Sequence, residues 1–263
     1  MTIVYSAAAI LLIVIVLIMV RTAFVNKVVE KDLFFDDFPE TFRTISVFFI
    51  SDIHRRLVTE KLLDEVRGKA DIVIIGGDIT EKGVPMERIE KNIVKLKGVG
   101  PLYFVWGNND YEADYHMLDA ILLKHGVKIL DNTLVVIESD QGEKIELIGI
   151  DDISMERDRL DLALSESDRA VFKILVSHNP LVSGQIKDEN NISLVLSGHT
   201  HGGQIRFFGF GPYELGGMKK QGSTLLLTSN GYGTSTLPLR LGAEPETHLL
   251  HLKKSVAGKS FTI

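Results

Sequence analysis

The sequence predicts an α/β domain of layered sheets and helices, preceded by one membrane-spanning helix. Short runs rich in Val, Ile, Leu and Phe alternate with stretches whose apolar residues recur at helical spacing, which is typical of α/β layers. Several of the short runs are apolar throughout, as expected for strands that are buried on both faces. The N-terminus differs from both patterns, because residues 2–20 are apolar without interruption and carry no charge.

Residues 2–20 have the length of a membrane span. A helix that rises ~1.5 Å per residue covers roughly 28 Å over this segment, close to the ~30 Å hydrocarbon core of a bilayer. A cleaved signal peptide is the alternative, and it normally has basic residues before the apolar stretch and small residues at a cleavage site behind it. Here no Lys or Arg precedes the stretch, which ends in MVRTAFVN. We therefore predict a retained transmembrane anchor over residues 1–21.

The basic residues near the anchor all lie on its C-terminal side. Arg21, Lys27 and Lys31 are the first basic residues of the chain. Lys and Arg beside a membrane helix favour the cytoplasmic side. The sequence therefore predicts a single-pass protein of the cell membrane whose soluble domain lies in the cytoplasm.

A polar linker over residues 22–43 leads into the predicted domain, residues 44–263. Proline and glycine are dispersed along it, so no second domain boundary is expected. The runs that predict strands lie within residues 45–54, 71–80, 102–111, 142–152, 172–180, 193–203, 223–231 and 247–252. Helical spacing predicts helices within residues 57–69, 85–98 and 113–126.

Composition argues against general binding of nucleic acid and excludes any site built from cysteine. The 263 residues carry a formal net charge of −6, so the chain has no general attraction for nucleic acid, and we expect no nucleic-acid polymer as partner. The chain contains no cysteine, which rules out disulfides and thiolate metal sites. Any metal ion must therefore be held by His, Asp, Glu, Asn or backbone groups.

Five of the predicted strands end in residues that bind metal ions. The five ends carry Asp52 with His54; Asp78; Asn108 with Asn109 and Asp110; His178; and His199 with His201. Each residue alone has a structural explanation, such as a helix cap or a turn. Gathered on one sheet edge, however, several carboxylates and imidazoles are costly unless a cation neutralises them. Oxygen and imidazole ligands together suit Mn, Fe, Zn or Co, so we expect a site for such divalent ions.

These motifs resemble the calcineurin-like metallophosphoesterases. The resemblance lies in Asp-x-His, Gly-Gly-Asp, Gly-Asn-x-Asp, a lone His after a strand and Gly-His-Thr-His, in that order, and covers residues 44–252. The segments GIDD (149–152), SNGYGTSTLPLR (229–240) and PETHLLHL (245–252) are similar to the membrane-associated branch of that family, which includes diacylglucosamine-nucleotide hydrolases. The resemblance implies a four-layer αββα sandwich with two divalent metal ions on its rim.

The resemblance also implies which residue holds which ion. Asp52, His54 and His201 would hold the first ion, Asn108, His178 and His199 would hold the second, and Asp78 would bridge both. A hydroxide shared by the two ions, not a side chain, would then attack a phosphodiester or pyrophosphate bond. A phosphate ester is thus the expected substrate.

One position departs from the family pattern. The family commonly has Gly-Asn-His-Asp/Glu, where the histidine can protonate the leaving group, whereas this chain has GNND with Asn109 in that place. An amide donates hydrogen bonds but supplies no proton near neutral pH. Asn109 and Asp110 are the candidate catalytic residues beside the metal ligands, Asp110 as the partner that would have oriented the missing histidine.

A segment rich in aromatic and basic residues follows the histidine pair. Within residues 206–222, the candidates for contact with substrate or membrane are Arg206, Phe207, Phe208, Phe210, Lys219 and Lys220. Such a segment either lies on a membrane surface, which would favour a lipid-linked substrate, or packs as part of the core. The remaining histidines show no ligand pattern and are expected to be structural; they are His116, His125, His248 and His251.

Two other functions stay open from the sequence. Asn109 would also suit a metal-binding protein of weak catalytic power that acts as a membrane scaffold. The same ligands would serve a metallo-amidase acting on cell-wall material. The sequence leaves the oligomeric state undetermined.

Overall fold

The chain forms two mixed β-sheets with helices, as a computed structural model that describes residues 2–255 shows. Met1 and residues 256–263, where the predicted anchor begins and the predicted domain ends, lie outside the described residues. The helices are α1 (Thr2–Ala23), α2 (Glu60–Val66), α3 (Met86–Lys97), α4 (Asn108–Glu112), α5 (Tyr115–Lys124) and α6 (Leu160–Ala163). The first six strands are β1 (Val28–Phe35), β2 (Thr44–Ile50), β3 (Ile72–Gly76), β4 (Leu102–Val105), β5 (Lys128–Ile129) and β6 (Thr133–Glu138). The other six are β7 (Lys144–Gly149), β8 (Phe172–Val176), β9 (Leu194–Ser197), β10 (Gly217–Gln221), β11 (Thr224–Thr228) and β12 (Thr247–Lys254).

Each sheet has six strands with a parallel centre. The first sheet has the order β1-β12-β2-β3-β4-β5, and β2 to β5 run parallel while β12 runs antiparallel to β2. The second sheet has the order β10-β11-β9-β8-β7-β6, with antiparallel strands only at its two edges. Parallel centres place the carboxyl ends of neighbouring strands on one edge, which is where the predicted metal ligands follow the strands.

The sheets pack face to face, and helices cover their outer faces. The layer between the sheets joins Val47, Phe49 and Ile74 of the first sheet to Ile174 and Leu196 of the second. The outer face of the first sheet packs against residues of α2, α3 and α5, and the outer face of the second against α6 and short 3₁₀ turns. The expected four-layer αββα sandwich is therefore confirmed.

Helix α1 is apolar and almost wholly exposed. Its best stretch has a mean hydropathy of 3.1, and only Met19 and Ala23 are buried. A core helix of a soluble protein would be mostly buried, so this helix is a candidate membrane span by length and composition. It ends at Ala23, two residues beyond the predicted anchor.

Four strands lie where the apolar pattern predicts none. Strand β1 falls inside the segment predicted as a linker, and β5, β6 and β10 are the strands next to β4, β7 and β11. All four are partly exposed edge strands, so their sequences lack a continuous apolar run. Strand β1 forms because it pairs in parallel with β12 over its whole length and buries Leu33 and Phe35.

Candidate metal centre

The predicted ligands meet on the edge where the carboxyl ends of both sheets come together. Asp52 and His54 follow β2, Asp78 follows β3, His178 follows β8, and His199 with His201 follows β9. Asn108 begins α4, directly after β4. The structure therefore brings all five strand ends to one site.

Three of the predicted ligands form a first cluster. The Nε2 atoms of His54 and His201 lie 3.1 Å apart, and Asp52 Oδ1 lies 3.4 Å from His201 Nε2. Ligand atoms of these three residues all lie within 4.8 Å of one another, and all three residues are buried. This is the group that the family resemblance assigns to the first ion.

A second cluster lies beside the first. Asp78 Oδ2 is 3.2 Å from His178 Nε2, and His178 Nε2 is 3.2 Å from His199 Nδ1. Asp78 Oδ2 is also 3.7 Å from His54 Nε2 of the first cluster. Asp78 therefore stands between the two groups, in the position that a bridging carboxylate requires. Asp52, Asp78 and His178 also have ligand atoms within 4.8 Å of one another.

Buried neighbours of His178 and His54 indicate which ring nitrogen of each faces the site. His178 Nδ1 donates to the Gly76 carbonyl at 2.8 Å, and His54 Nδ1 lies 3.2 Å from Glu81 Oε2. These contacts leave both Nε2 atoms free for a metal ion, as is usual for metal-ligating histidines. Glu81 also pairs with Arg55.

The buried carboxylates of the site favour positive charge on the groups around them. Burial opposes protonation of His178, but the charge and hydrogen bond of Asp78 outweigh burial and raise the pKa of His178 to about 10. Burial also raises the pKa of Asp78, yet the neighbouring histidines outweigh it and hold that pKa below its usual range. By contrast, burial lowers the pKa of His201 to about 3, so this ring is neutral, the form that binds metal. A divalent cation would neutralise the carboxylates, so that no histidine of the site would need to be protonated.

The donor set fits a divalent cation in a further respect. Asn108 Oδ1 is buried and has no hydrogen-bond partner among the described residues. A buried carbonyl oxygen without a partner costs ~1–3 kcal/mol, which coordination to an ion would offset. Oxygen and imidazole donors in this arrangement suit the Mn, Fe, Zn or Co class.

The backbone of the site is strained. Five of the seven predicted ligands have positive φ angles, namely Asp52 (55°), His54 (51°), Asp78 (52°), His199 (69°) and His201 (51°). A residue other than glycine in this region costs of order 1–3 kcal/mol, and such residues gather at functional sites. These positive φ angles lie in the turns that directly follow β2, β3 and β9.

Two glycines allow the strand ends to approach one another. A Cβ atom at Gly107 would lie 2.3 Å from Asp78 Oδ1, and one at Gly198 would lie 2.3 Å from Asp52 Oδ2. Any side chain at either position would therefore displace a carboxylate of the site. This requirement explains the glycine before Asn108 and the glycine before His199.

The two candidate catalytic residues, Asn109 and Asp110, both form hydrogen bonds with Asp78. Asn109 donates from its backbone N–H to Asp78 Oδ1 at 2.8 Å and from its side-chain amide to Asp78 Oδ2 at 2.7 Å. Asp110 is fully buried and accepts hydrogen bonds from the backbone of Gly107, Asp78 and Thr80. Asn109 thus orients the carboxylate between the two clusters, and Asp110 fixes the loop that carries it.

The predicted substrate or membrane loop is exposed but internally tied. Phe208 is 100% exposed and Phe210 is 82% exposed, and Phe207 pairs with Phe210 through two backbone hydrogen bonds. The guanidinium of Arg206 points into the loop, where it donates to the carbonyls of Gly202, Gly209 and Tyr213. Lys219 and Lys220 lie on β10, where Lys219 pairs with Glu214.

Sequence reasoning missed three buried residues beside the ligands. Glu81 contacts His54, Arg240 lies against His201, and Arg56 follows His54 by two positions. Of these three residues, only Arg240 has a signal in the sequence. It is the last residue of SNGYGTSTLPLR, a segment that resembles a branch of the family. The four histidines expected to be structural have partners elsewhere: His116 packs at a tilt against Tyr115, and His125, His248 and His251 contact Glu90, Ser229 and Ser46.

A cavity of about 520 Å³ opens over the candidate metal centre. Asp78, Asn108, Asn109 and the histidine pair line its base, and Ile205, Leu237 and Leu239 contribute apolar walls. A second cavity of about 440 Å³ shares Thr200 and Tyr213 with the first and is bounded by Val195, Leu215, Met218 and Leu226. Both volumes are typical of ligand sites.

Comparison with known proteins identifies this arrangement. The family model described as calcineurin-like phosphoesterase matches residues 45–203, which is more than half of the chain. The chain is 52% identical over 210 residues to the uncharacterized protein YpbG of Bacillus subtilis (strain 168), covering 79% of this chain and 81% of that protein.

Two further relatives have more specific names. The chain is 27% identical to the phosphodiesterase YaeI of Escherichia coli (strain K12), over 83% of this chain and 85% of YaeI. It is 28% identical to a transmembrane protein with metallophosphoesterase domain from Danio rerio, over 90% of this chain and 60% of that longer protein.

Proposed function

The chain belongs to the calcineurin-like phosphoesterase family, and we propose that it is a membrane-anchored enzyme that hydrolyses a phosphodiester or pyrophosphate bond of a lipid-linked substrate. It is a metal-dependent phosphoric ester hydrolase, as its family and its relatives named phosphodiesterase and metallophosphoesterase indicate. The observation that carries the proposal is the pair of buried Asp/His clusters at the base of one cavity, with Asp78 Oδ2 3.2 Å from His178 Nε2 and 3.7 Å from His54 Nε2.

Different residues of the chain would have different roles around the two ions. When bound, two divalent cations supply Lewis-acid charge that activates water and neutralises phosphoryl oxygens. Asp52, His54 and His201 would hold one cation, Asn108, His178 and His199 the other, and Asp78 both. Asn109 would hold the Asp78 carboxylate in place through its two hydrogen bonds.

The type of bond follows from Asn109. Its side-chain amide is already engaged with Asp78, and an amide supplies no proton to a leaving group. Bonds whose leaving group departs as a stable anion depend least on a proton donor. Phosphodiesters with acidic leaving groups and pyrophosphates meet this condition, whereas simple alkyl phosphates do not.

The lipid-linked substrate is supported by the position of the cavity relative to α1. The Arg240 backbone N–H donates to the Met19 carbonyl at 3.1 Å, and Leu239 in the cavity wall directly precedes Arg240. If α1 spans the bilayer, Met19 lies near its boundary, which supports a position of the apolar wall near the lipid surface. The exposed Phe208 and Phe210 belong to the loop that begins at Arg206, whose backbone N–H donates to the carbonyl of Leu241, next to Arg240. A membrane-embedded substrate could then enter without leaving the lipid surface.

The proposal includes an orientation, with the domain on the cytoplasmic side. The basic residues at the carboxyl end of α1 support this orientation, since Arg21 lies in its last turn and Lys27 follows it.

A substrate screen with the full chain in detergent micelles tests the proposal. Purified protein loaded with Mn²⁺ is expected to hydrolyse bis-p-nitrophenyl phosphate and, among natural substrates, lipid phosphodiesters or lipid-linked pyrophosphates faster than nucleotide diesters. An Asp78→Ala protein serves as blank, and activity that survives this change belongs to a contaminant. Metal binding without turnover of any ester would favour the scaffold instead, and turnover that vanadate and phosphate fail to inhibit would favour a metallo-amidase.

A further inference from the structure

The carboxyl end of the membrane helix lies against the back of the candidate metal centre. Two arginines make this contact, and both are buried: Arg240 is 0% exposed and Arg56 is 8% exposed. Neither is a predicted ligand, and the proposed reaction uses neither of them. Their partners connect the last turn of α1 to the two histidines of the first cluster.

Arg56 binds the end of α1 directly. Its Nη2 donates to the carbonyls of Phe24 and Val25, each at 2.9 Å, and to Asn26 Oδ1 at 2.8 Å. Its Nη1 donates to the Tyr232 carbonyl at 2.6 Å and lies 3.4 Å from the Ala23 carbonyl. The last carbonyls of a helix have no partner inside the helix and carry partial negative charge, so a buried guanidinium is a fitting cap.

The ring of Tyr232 completes the Arg56 site. The Arg56 guanidinium carbon lies 3.8 Å from the centre of this ring, and the Tyr232 hydroxyl donates to Asn26 Oδ1 at 2.9 Å. Because Arg56 follows the ligand His54 by two residues, and its N–H bonds the Ile53 carbonyl, the turn that carries His54 is fixed by this contact.

Arg240 makes the second connection. Its backbone N–H binds Met19 of α1, while its Nη1 donates to the His201 carbonyl at 3.2 Å. Its Nη2 donates to the carbonyls of Asn230 and Gly233, at 2.6 Å and 2.7 Å, and packs 3.1 Å from His201 Nδ1. His201 is thus held from behind by a residue that the helix itself holds.

We propose that residues 19–26 are a structural part of the metal centre, in which Arg56 and Arg240 are positioning residues that couple the seating of the membrane helix to the first-ion ligands His54 and His201. The inference rests on the proposed function only for the presence of the ions. A guanidinium with five donors needs these carbonyls, and a buried cation deprived of them must move or draw in water. Displacement of the helix end would therefore disturb both histidines.

Coupling of this kind is reciprocal. If the seated helix end favours binding of the first ion, then ion binding must favour the seated helix end by the same factor. Hydrogen exchange of the backbone amides at residues 19–26 reports the seating, and Mn²⁺ titration by calorimetry reports the ion. Neither measurement depends on hydrolysis of a substrate.

The test compares three proteins of residues 1–263 in detergent micelles: wild type, Arg56→Gln and the surface control Arg67→Gln, whose arginine pairs with Glu60 and Asp64 on α2. In wild type, Mn²⁺ is expected to slow exchange at residues 19–26. Arg56→Gln is expected to weaken one of two Mn²⁺ sites about 10- to 100-fold, as loss of a partner behind a metal ligand does, and to abolish this protection. Arg67→Gln should change neither quantity.

A second variant guards against loss of folding. Asn26→Ala removes one acceptor of Arg56 and leaves the arginine in place, so a smaller change in the same two quantities is expected. Two-site Mn²⁺ binding that is unchanged in both variants, or exchange at residues 19–26 that Mn²⁺ does not alter, overturns the coupling while the proposed function stands. A wild-type protein that takes up no Mn²⁺ overturns both.

Discussion

His54 and His201 face each other with their Nε2 atoms 3.1 Å apart, although 147 positions separate them in the chain. The two rings are stacked, with centroids 5.0 Å apart, and Asp52 lies beside them. Two imidazole nitrogens at this separation need a shared proton or a cation between them, and the neighbouring carboxylates favour the cation.

Removal of one of these rings is the simplest test of the first site. His201→Ala is expected to reduce bound Mn²⁺ from two ions to about one and to lower hydrolysis of bis-p-nitrophenyl phosphate by at least about 100-fold, because a direct ligand matters more than its supporting partners. Metal analysis after gel filtration and initial rates give the two numbers. His116→Ala, at an exposed histidine on α5, is the matched control. Full metal occupancy in His201→Ala would contradict the assignment.

Asn109 offers a test of the leaving-group argument. Asn109→His places an ionisable group where the family commonly has one, and we expect about a 100-fold gain on substrates with poor leaving groups and little gain on p-nitrophenyl esters. A series of aryl and alkyl phosphodiesters measures this as a flatter dependence of rate on leaving-group pKa. Asn109→Ala separates the proton donor from the lost hydrogen bond to Asp78. An equal change across the whole series would mean that position 109 does not face the scissile bond.

The exposed aromatic loop predicts a difference between soluble and membrane-bound substrates. The double variant Phe208→Ala and Phe210→Ala is expected to lower the rate on a phosphodiester lipid in vesicles by about tenfold and to leave the rate on a soluble aryl ester unchanged, because only the former needs contact with lipid. Leu123→Ala, an exposed apolar residue on α5, is the control. A parallel fall on both substrates would assign the loop to folding or chemistry.

The orientation in the membrane can be measured with single cysteines, since the chain has none of its own. Asp140→Cys, in the turn between β6 and β7, is expected to react with a membrane-impermeant maleimide only after the cells are permeabilised. Thr2→Cys, at the other end of α1, should react in intact cells. The reverse pattern would place the domain outside, and labelling of both positions in intact cells would argue against a single span.

Buried His248 predicts how stability depends on pH. Burial lowers its pKa to about 3 in the folded chain, so below pH ~6.5 the unfolded chain binds a proton that the folded chain does not. The free energy of unfolding should therefore decrease as the pH is lowered, and this residue should contribute about 2 kcal/mol of the decrease between pH 7 and pH 5. In EDTA, His248→Phe should show a correspondingly shallower fall in the free energy of unfolding. The ligand histidines titrate equally in both proteins and cancel. Identical slopes would show that His248 becomes solvated.

The candidate site was predictable because its ligands follow the strands that carry them. An apolar run that ends in Asp-x-His or Gly-His-Thr-His contains both the strand and its ligands, so sequence alone placed Asp52, His54, His199 and His201 on one edge. The residues behind the ligands could not be found in this way. Arg56 is recognisable only through the carbonyls of Tyr232 and of Phe24, just beyond α1, which the fold brings to it.

Strand β1 shows the same limit for the fold. Its residues 30–32 are Glu, Lys and Asp, a polar run that predicts a linker. Only the distant β12 makes the segment a strand, because it pairs with β1 over its whole length and β1 lies at the edge of the sheet. Local pattern carries no information about such a partner.

The pairing of β1 with β12 has a consequence for biosynthesis. Val28 is paired with Thr247, so β1 leaves the ribosome 219 residues before the start of the strand that pairs with it. At ~5–20 residues per second, the emerging edge stays open for roughly 10–40 seconds. Its charged residues, Glu30, Lys31 and Asp32, discourage pairing with other nascent chains in that interval.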